Sequence, residues 1–387
     1  VKITRSSKCT LRFCTAEKRQ QLRRVLAEYG RVCQLFIDRF WVEPSKKTEL
    51  LAPVVNSVDT WLTARLRKVA AREAIDMVAS ARKSAVALGN QPTKPRHSGR
   101  RMCLSSTIAD LLPAKAAKSF DCWLHLQSIG AGLILDLPVK LHRHFKKLAA
   151  AGRRLASYVV TDRYVQFAFE VETGRKLEPT ACVGIDTGIN ALASTSTGQQ
   201  FGLDIKQHIE RVKRCKHGSK GQLRASRALR QRMDETAKEV LSTTGATLVV
   251  AEDLKGITKN TKRRLVKSMR RSIGRWNVRY WLGILERLCE WNRVSFRRVS
   301  PRHTSQQCSE CGHVDRRNRR GSDFRCLKCG HEANADVQAS TNILNRFLTG
   351  PYGAGCKALI PVIPAMSRNE QVSGDGHRCA FSYSDKD

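Results

Sequence analysis

Two cysteine pairs near the carboxyl end constrain this chain more than any other feature. In CSECGHVDRRNRRGSDFRCLKCGHEANADVQASTNI, residues 308–343, Cys308 and Cys311 form one Cys-x-x-Cys turn, and Cys326 and Cys329 form a second, with fourteen residues between the pairs. Such a turn offers two thiolates from one short loop, and two turns supply the four soft ligands that Zn²⁺ takes in a tetrahedron. Each pair is followed by a glycine, Gly312 or Gly330, which lets the backbone turn its N–H groups towards the sulfurs. Four cysteines leave His313 and His331 no place on the metal and leave no open position for water, so the expected zinc is structural. It staples a ribbon, residues 301–332, that could not bury a core alone. The next aspartate, Asp336, lies only seven positions past Cys329.

Two further acids stand at telling places. ACVGID and ATLVVAE are short apolar runs ending in Asp186 and Glu252, and each reads as a buried strand with a carboxylate at its carboxyl end. In an open α/β sheet, ligands gather at that end of the strands. Carboxylates brought together there repel one another unless they share cations, and hard oxygen donors select Mg²⁺ or Mn²⁺. Two such ions about 3.5–4 Å apart can activate a water and stabilise the leaving oxygen during phosphodiester cleavage. Taken singly, each acid also reads as a strand-end turn or a helix cap, Asp336 above all, because a carboxylate suits the first turn of a helix. Asp253 competes with Glu252. Side chains alternate along a strand, so only one of the two lines the site, and Glu252 is the one expected there.

The rest of the chain falls into recognisable stretches. Residues 1–14 read as one strand. From Ala16 to Leu88 the pattern is helical, with Leu22, Val25, Leu26, Tyr29, Val32, Cys33 and Phe36 recurring at steps of three and four. GNQPTKPRHSGRRM, residues 89–102, is a basic linker broken by Gly and Pro. Strand patterns return over 120–172, so a small β domain is interrupted by a helical one. A basic helical stretch is expected over 205–241, an amphipathic helix over 276–292, and a last helix from Asp336 with Val337, Thr341, Leu344 and Leu348 on one face. Trp276, Trp281 and Trp291 fall among Leu285 and Leu288 and read as core rather than as platforms for bases. Between Gly256 and Arg275 there are eight basic residues and no acid, and beyond Leu348 the sequence is aperiodic.

Composition narrows the partners. Seventy Lys and Arg against 34 Asp and Glu give a formal net charge of +36, so a polyanion is the default partner. No run of 18 apolar residues, signal peptide or lipidation motif is found, which favours nucleic acid over a membrane and a cytoplasmic location. Ten cysteines outside the ribbon are scattered, and they read as reduced thiols, mostly buried.

The ordered set GIDTG, VVAEDLKG and NADVQASTNI, with a ribbon introduced by SPRHTSQQCSECG just before the third, resembles the TnpB family of transposon-encoded, RNA-guided DNA nucleases, ancestral to type V CRISPR effectors. The resemblance covers residues 181–345 and extends more weakly towards the amino end. It implies an α/β multidomain chain containing a RuvC-like (RNase H fold) nuclease domain with an inserted four-cysteine zinc ribbon. It also implies an N-terminal β domain interrupted by a helical recognition domain. By position, Asp186, Glu252 and Asp336 become the catalytic ligands of Mg²⁺ or Mn²⁺, and Cys308, Cys311, Cys326 and Cys329 those of Zn²⁺. Residues 1–14 become the first strand of a wedge-like β domain, 15–110 the helical recognition domain with its linker, and 111–178 the rest of the β domain. Residues 179–300 and 333–348 become the two parts of the nuclease around the ribbon at 301–332, with a flexible tail at 349–387. Lys259, Lys262, Arg263, Arg264, Lys267, Arg270 and Arg271 are expected on guide RNA or heteroduplex, since in such enzymes base pairing reads sequence and the protein reads backbone and a short flanking motif. The partners implied are a transposon-end guide RNA and double-stranded target DNA, with a monomer favoured and a prokaryotic, nucleoid-associated setting. A guided repressor that does not cut is the alternative, and a miniature type V CRISPR effector another. Gln338 departs from the pattern, where Asn is the usual residue, and is expected to leave the metal chemistry untouched.

Overall fold

The computed structural model describes residues 1–87, 89–115, 117–254 and 276–350. Lys259, Lys262, Arg263, Arg264, Lys267, Arg270, Arg271 and the tail from 351 onward therefore lie outside the described residues. The chain divides into two compact units, Val1–Gly174 and Arg175–Asp387. No described helix is long and apolar enough to cross a membrane.

In the first unit, β1 (Lys2–Thr10) leads into α1 (Ala16–Val42), whose first turn is capped by the Thr15 hydroxyl accepting from the Lys18 amide. The helical pattern does not run unbroken to residue 88. Pro44, which cannot donate to a helix interior, follows the end of α1, and Pro53 sits in the first turn of the short α2 (Ala52–Asn56). A single 3-10 turn at Lys47–Glu49 lies between them, and α3 (Ala64–Ala87) then packs back on α1. The β2 (Arg101–Ser105), β6 (Gly152–Thr161) and β7 (Tyr164–Glu172) strands join β1 in an antiparallel sheet of order β1-β7-β6-β2. First and last strands thus pair along their length, from Lys2 opposite Glu172 to Thr10 opposite Tyr164. A second antiparallel sheet holds β3 (Ala109–Pro113), β4 (Cys122–Leu126) and β5 (Leu135–Val139). Within the stretch read as strands, Arg143–Ala151 is a helix, α4, burying Phe145 and Leu148 three residues apart.

Glu73 of α3 is buried at the centre of this unit. Tyr29 donates to its Oε2 at 2.8 Å, Arg101 reaches Oε1 at 2.6 Å, and His97 Nε2 lies 3.7 Å away. Burial alone would raise its pKa, but His97, Tyr29 and Arg101 outweigh burial and hold it at about 2. Cys33, Glu73 and His97 offer donor atoms within 4.8 Å of one another. However, Gly99 N donates to His97 Nδ1, which leaves the ring hydrogen on Nε2 facing the carboxylate. With Arg101 also present, the cluster is a closed ionic network rather than a cation's cage.

The second unit is built on a five-stranded sheet of β8 (Cys182–Asp186), β9 (Ala193–Thr195), β10 (Gln200–Phe201), β11 (Leu248–Glu252) and β12 (Ser295–Val299). Its order is β10-β9-β8-β11-β12, antiparallel from β10 to β8 and parallel from β8 to β12. The strand alternation of period two sorts the side chains of β11. Val249 and Ala251 enter the larger core with α5 (Ile205–Arg214), α6 (Lys220–Thr244) and α7 (Val278–Trp291). Leu248 and Val250 face α8 (Ala335–Thr349) and pack on Ile343, Phe347 and Leu348. Burying each of these large side chains contributes about 1.5–3 kcal/mol. Trp276 and Trp281 are buried in the larger core. The helix face agrees in part with the one read in sequence: Leu348 is buried in the core with Ile343 and Phe347, and half-buried Leu344 packs against it, whereas Val337 and Thr341 are only half-buried. Polar Gln338, Ser340 and Asn342 are buried too.

Three short strands, β13 (Arg319–Arg320), β14 (Asp323–Arg325) and β15 (Glu332–Asn334), form a small antiparallel sheet just before α8. Its core is Phe324, Ala335, Cys308 and Cys326. Among the eight described cysteines outside it, Cys9, Cys33, Cys122 and Cys289 are buried and Cys14, Cys103, Cys182 and Cys215 half-buried, and all eight are free thiols.

Candidate active site

The acids at the strand ends lie where alternation sends them. Along β11, Glu252 shares the face of Leu248 and Val250, which is the α8 face. Along β8, Asp186 shares the face of Cys182, which packs on the same core, and of Gly184. The two strands are parallel and in register up to Ala251 opposite Ile185. Asp186 and Glu252 follow as the next residues on strands about 4.8 Å apart. Gly184 lets α8 come down onto β8: a Cβ there would lie 2.1 Å from Ser340 O and 2.9 Å from the Leu344 Cβ. That close seat brings the amino end of α8, and Asp336 with it, over the strand ends. Asn334 caps the helix by accepting from the amides of Asp336 at 3.0 Å and Val337 at 3.2 Å. Capping is thus done by Asn334, and the Asp336 carboxylate is directed elsewhere.

The electrostatics record the convergence. Burial, then the negative charges of Glu252 and Asp336, push Asp186 up to about 7, against a smaller lowering by Arg319. Burial also raises Glu252, opposed by the Thr304 hydroxyl and by the positive charges of Arg346 and Arg319. Asp336 is held by Arg319, whose Nη2 lies 2.6 Å from Oδ1. The carboxylate oxygens of the three acids are not all within 4.8 Å of one another, unlike the four thiols. Each carboxylate has a local partner, Asp336 an arginine and Glu252 a hydroxyl. Such a cluster has the donor set a divalent cation requires, hard oxygens on a rigid sheet end. Asp253 takes the other direction, with Arg298 Nη1 at 3.8 Å from its carboxylate.

The cysteines form a closed site. Cys308 and Cys329 sulfurs are 3.7 Å apart, and those of Cys311 and Cys326 3.5 Å. Four sulfurs about 2.3 Å from a tetrahedral Zn²⁺ would be about 3.8 Å apart, so the set fits zinc. Both knuckles have the same backbone. Cys308 N donates to His313 O and Gly312 N to Cys308 O; Cys326 N donates to His331 O and Gly330 N to Cys326 O. Gly312 and Gly330 adopt φ of +72° and +76°, the left-handed region that favours glycine. His331 turns its Nε2 to Gln338 Oε1 at 3.2 Å, away from the sulfurs.

Several residues at this site escaped the sequence reading. Arg319 lies in β13 of the ribbon, seventeen positions before Asp336. Thr304 is 2 % exposed and donates to Glu252 Oε1. Gln338 is far from idle: it accepts from Ser309 Oγ at 3.1 Å and donates to Gln307 O at 3.2 Å, so it ties the first knuckle to α8. An arginine spaced within a ribbon of many arginines carries no signal of its own, and a threonine in a loop carries even less.

Comparison with known proteins agrees with this segment. The family profile described as "Cas12f1-like, TNB domain" matches residues 281–343. Over 47 residues, 12 % of this chain and 11 % of the other, the chain is 53 % identical to the "CRISPR-associated endodeoxyribonuclease Cas12f1" of Sulfoacidibacillus thermotolerans. Over 148 residues, 38 % of this chain and 47 % of the other, it is 32 % identical to the "TnpB-like protein aq_aa05" of Aquifex aeolicus (strain VF5). The chain therefore spans about half the length of these curated relatives or less. A solved structure described as "Cryo-EM structure of the Cas12f1-sgRNA-target DNA complex" superposes with a TM-score of 0.53 at 12 % identity, covering 86 % of this chain and 83 % of that one. At such identity the likeness is one of fold, an α/β fold similar to that effector. The resemblance to the TnpB family read from the motifs is borne out.

Proposed function

We propose that this chain is a guide-RNA-directed DNA endonuclease that hydrolyses target phosphodiesters at Asp186, Glu252 and Asp336. The observation that carries this reading is the meeting of three carboxylates from β8, β11 and α8 on one face of the sheet, with Asp186 driven up to about 7 by burial and by the other two. The sheet order, three antiparallel strands followed by two parallel ones, supports a RuvC-like (RNase H fold) domain made of 179–300 and 333–348, interrupted by the zinc ribbon at 301–332. Relatives named as an endodeoxyribonuclease and as TnpB-like, and a similar fold solved with a single guide RNA and target DNA, support the choice of partners. The net charge of +36 suits them.

In this reading Asp186, Glu252 and Asp336 hold Mg²⁺ or Mn²⁺. When bound, such ions supply a water of lowered pKa and offset the charge of the scissile phosphate. The residues of the chain do the remaining work. Arg319 holds Asp336 in place at the lip of the site, and Thr304 orients Glu252. Cys308, Cys311, Cys326 and Cys329 hold the zinc that fixes the ribbon carrying Arg319. The first unit supplies the wedge-like β domain with its helical insertion, and Lys259 to Arg271 supply backbone contacts to guide or heteroduplex.

The test is to sequence the RNA that co-purifies with the chain and to challenge the complex with a target library of randomised flanks. Cleavage beside one short motif, abolished in Asp186→Ala while guided binding persists, is the expected outcome. Guided binding without cleavage by the unaltered protein would instead identify a repressor. Sequence-specific DNA binding by RNA-free protein would sink the guided reading.

A further inference from the structure

Residues 301–306, between β12 and the first knuckle, form only turns, so their position depends on what holds them. Three side chains of α8 at steps of four do so. Arg346 donates to Ser300 O at 2.6 Å, and Asn342 donates to Thr304 O at 2.8 Å and Gln307 O at 2.6 Å. Gln338 adds a bond to Gln307 O at 3.2 Å. Residues four apart lie along one face of a helix, so a single edge of α8 grips the backbone at both ends of the turn and at Thr304 itself. Within the turn, His303 adopts φ of +62°, a conformation that costs a non-glycine residue energy and persists only where neighbours enforce it.

We infer that Thr304 is a positioning residue for Glu252, and that α8, which carries Asp336 on its first turn, thereby sets the place of two of the three acids at once. Thr304 has one hydroxyl hydrogen. It can serve Glu252 Oε1 or Pro301 O, which lies 3.2 Å away, and the carboxylate is the stronger acceptor. The threonine is 2 % exposed and Asn342 5 %, so water does not substitute for either bond. Glu252 sits at the end of its strand, where the backbone fixes its Cα but not its carboxylate. The hydroxyl fixes the carboxylate, and Asn342 fixes the hydroxyl. The inference rests on the proposed role of the acids, and its test separates the two.

Thr304→Val removes the hydroxyl at nearly constant volume, while Thr304→Ser keeps it and loses only a methyl group. Mn²⁺ binding to the RNA-free full chain, followed by calorimetry, and single-turnover cleavage by the guided complex over a Mg²⁺ series are measured for both, with thermal melting as the check on folding. Partners of a metal-holding carboxylate are worth about 10–100-fold in metal affinity or activity. Thr304→Val is expected to weaken Mn²⁺ binding by that factor and to shift the cleavage midpoint to higher Mg²⁺, with much of the rate recovered at saturation. Thr304→Ser is expected to stay near the unaltered protein, and Asn342→Ala to show the same shift in smaller degree. If Thr304→Val does not fold, Thr304→Ala takes its place in the comparison with serine. Unchanged Mn²⁺ affinity and midpoint in the variant without a hydroxyl, or equal damage from serine, overturns the inference while Asp186→Ala still abolishes cleavage. If Asp186→Ala also binds Mn²⁺ and cleaves as before, the role proposed for the acids fails and the inference falls with it.

Discussion

Arg319 lies within 2.6 Å of Asp336 and its charge also lowers Asp186 and Glu252, so its loss should be felt by all three acids. Arg319→Ala should reduce cleavage by about 10–100-fold, as expected for an outer partner of a metal-holding carboxylate, and Arg319→Lys should restore part of it. Single-turnover rates with preformed guided complex measure this; wild-type rates in the alanine variant would leave the arginine a bystander. Glu252→Gln and Asp253→Ala form a sharper pair. Glu252 faces α8 and Asp253 faces Arg298, so the first variant should lose cleavage and the second should keep it. The inverse result would overturn the facing of the strand. Both strand-end acids could be read from sequence because alternation is a local rule that needs no knowledge of neighbours. Arg319, Thr304 and Asn342 could not, because each acts on a residue 17 to 52 positions away through contacts that only the fold creates. The bonds of Gln338 to Gln307 and Ser309 were hidden for a related reason, since nothing local to the helix announces them.

At the scale of elements, long periodic helices and apolar strands were legible, and strands with few apolar residues were not. Leu22 to Phe36 announce α1, and Val249 to Glu252 announce β11. The three-residue β9, the two-residue β10 and the SFRRV of β12 carry too few apolar residues to stand out, and their place comes from pairing with β8 and β11. The face of α8 was misread in part because three of the eight residues it buries, Gln338, Ser340 and Asn342, are polar. Two predictions belong here. Gly184→Ala puts a methyl group into the backbone of α8 at Ser340, where nothing flexible can yield. It should cost about 1–3 kcal/mol or more by overpacking and lower cleavage further than Asp253→Ala does, as read by chemical unfolding and by rate. Glu73 supplies the second. Its folded pKa of about 2 lies below its ordinary 4.5, so the ionised carboxylate contributes its full stabilisation above pH 4.5 and loses it as pH falls towards 2. Between pH 6 and pH 3 the unaltered protein should lose about 2 kcal/mol more than Glu73→Gln, measured as urea midpoints for a probe in Val1–Gly174. Parallel pH curves for the two proteins would show that His97, Arg101 and Tyr29 do not hold the charge.

Over the whole molecule, two kinds of metal and one large charge should separate in experiment. Hard-oxygen sites exchange their ions readily, whereas a four-thiolate site is part of the fold. Brief EDTA treatment should stop cleavage reversibly, with Mg²⁺ or Mn²⁺ restoring it. Cys308→Ser or Cys326→Ser should lose zinc by elemental analysis, loosen the ribbon that carries Arg319, and gain nothing from added Mg²⁺. A zinc-free variant cutting at the wild-type rate would detach the ribbon from the chemistry. The charge makes the remaining prediction. In the proposed reading, an excess of 36 positive charges would not read bases but would neutralise phosphates and release their counterions, so log affinity should fall linearly with log salt by about 0.9 per phosphate contacted on duplex DNA. RNA-free protein should therefore bind any DNA, and lose about 10³–10⁵-fold in affinity between 50 and 200 mM salt if it makes 6–10 such contacts. Once guide RNA is bound, its own phosphates occupy much of that charge, so non-specific DNA binding should weaken and its salt slope should flatten. Affinity for a matched target should then rest on base pairing and respond less to salt. Equal slopes with and without RNA would mean that guide and DNA do not share the basic surface.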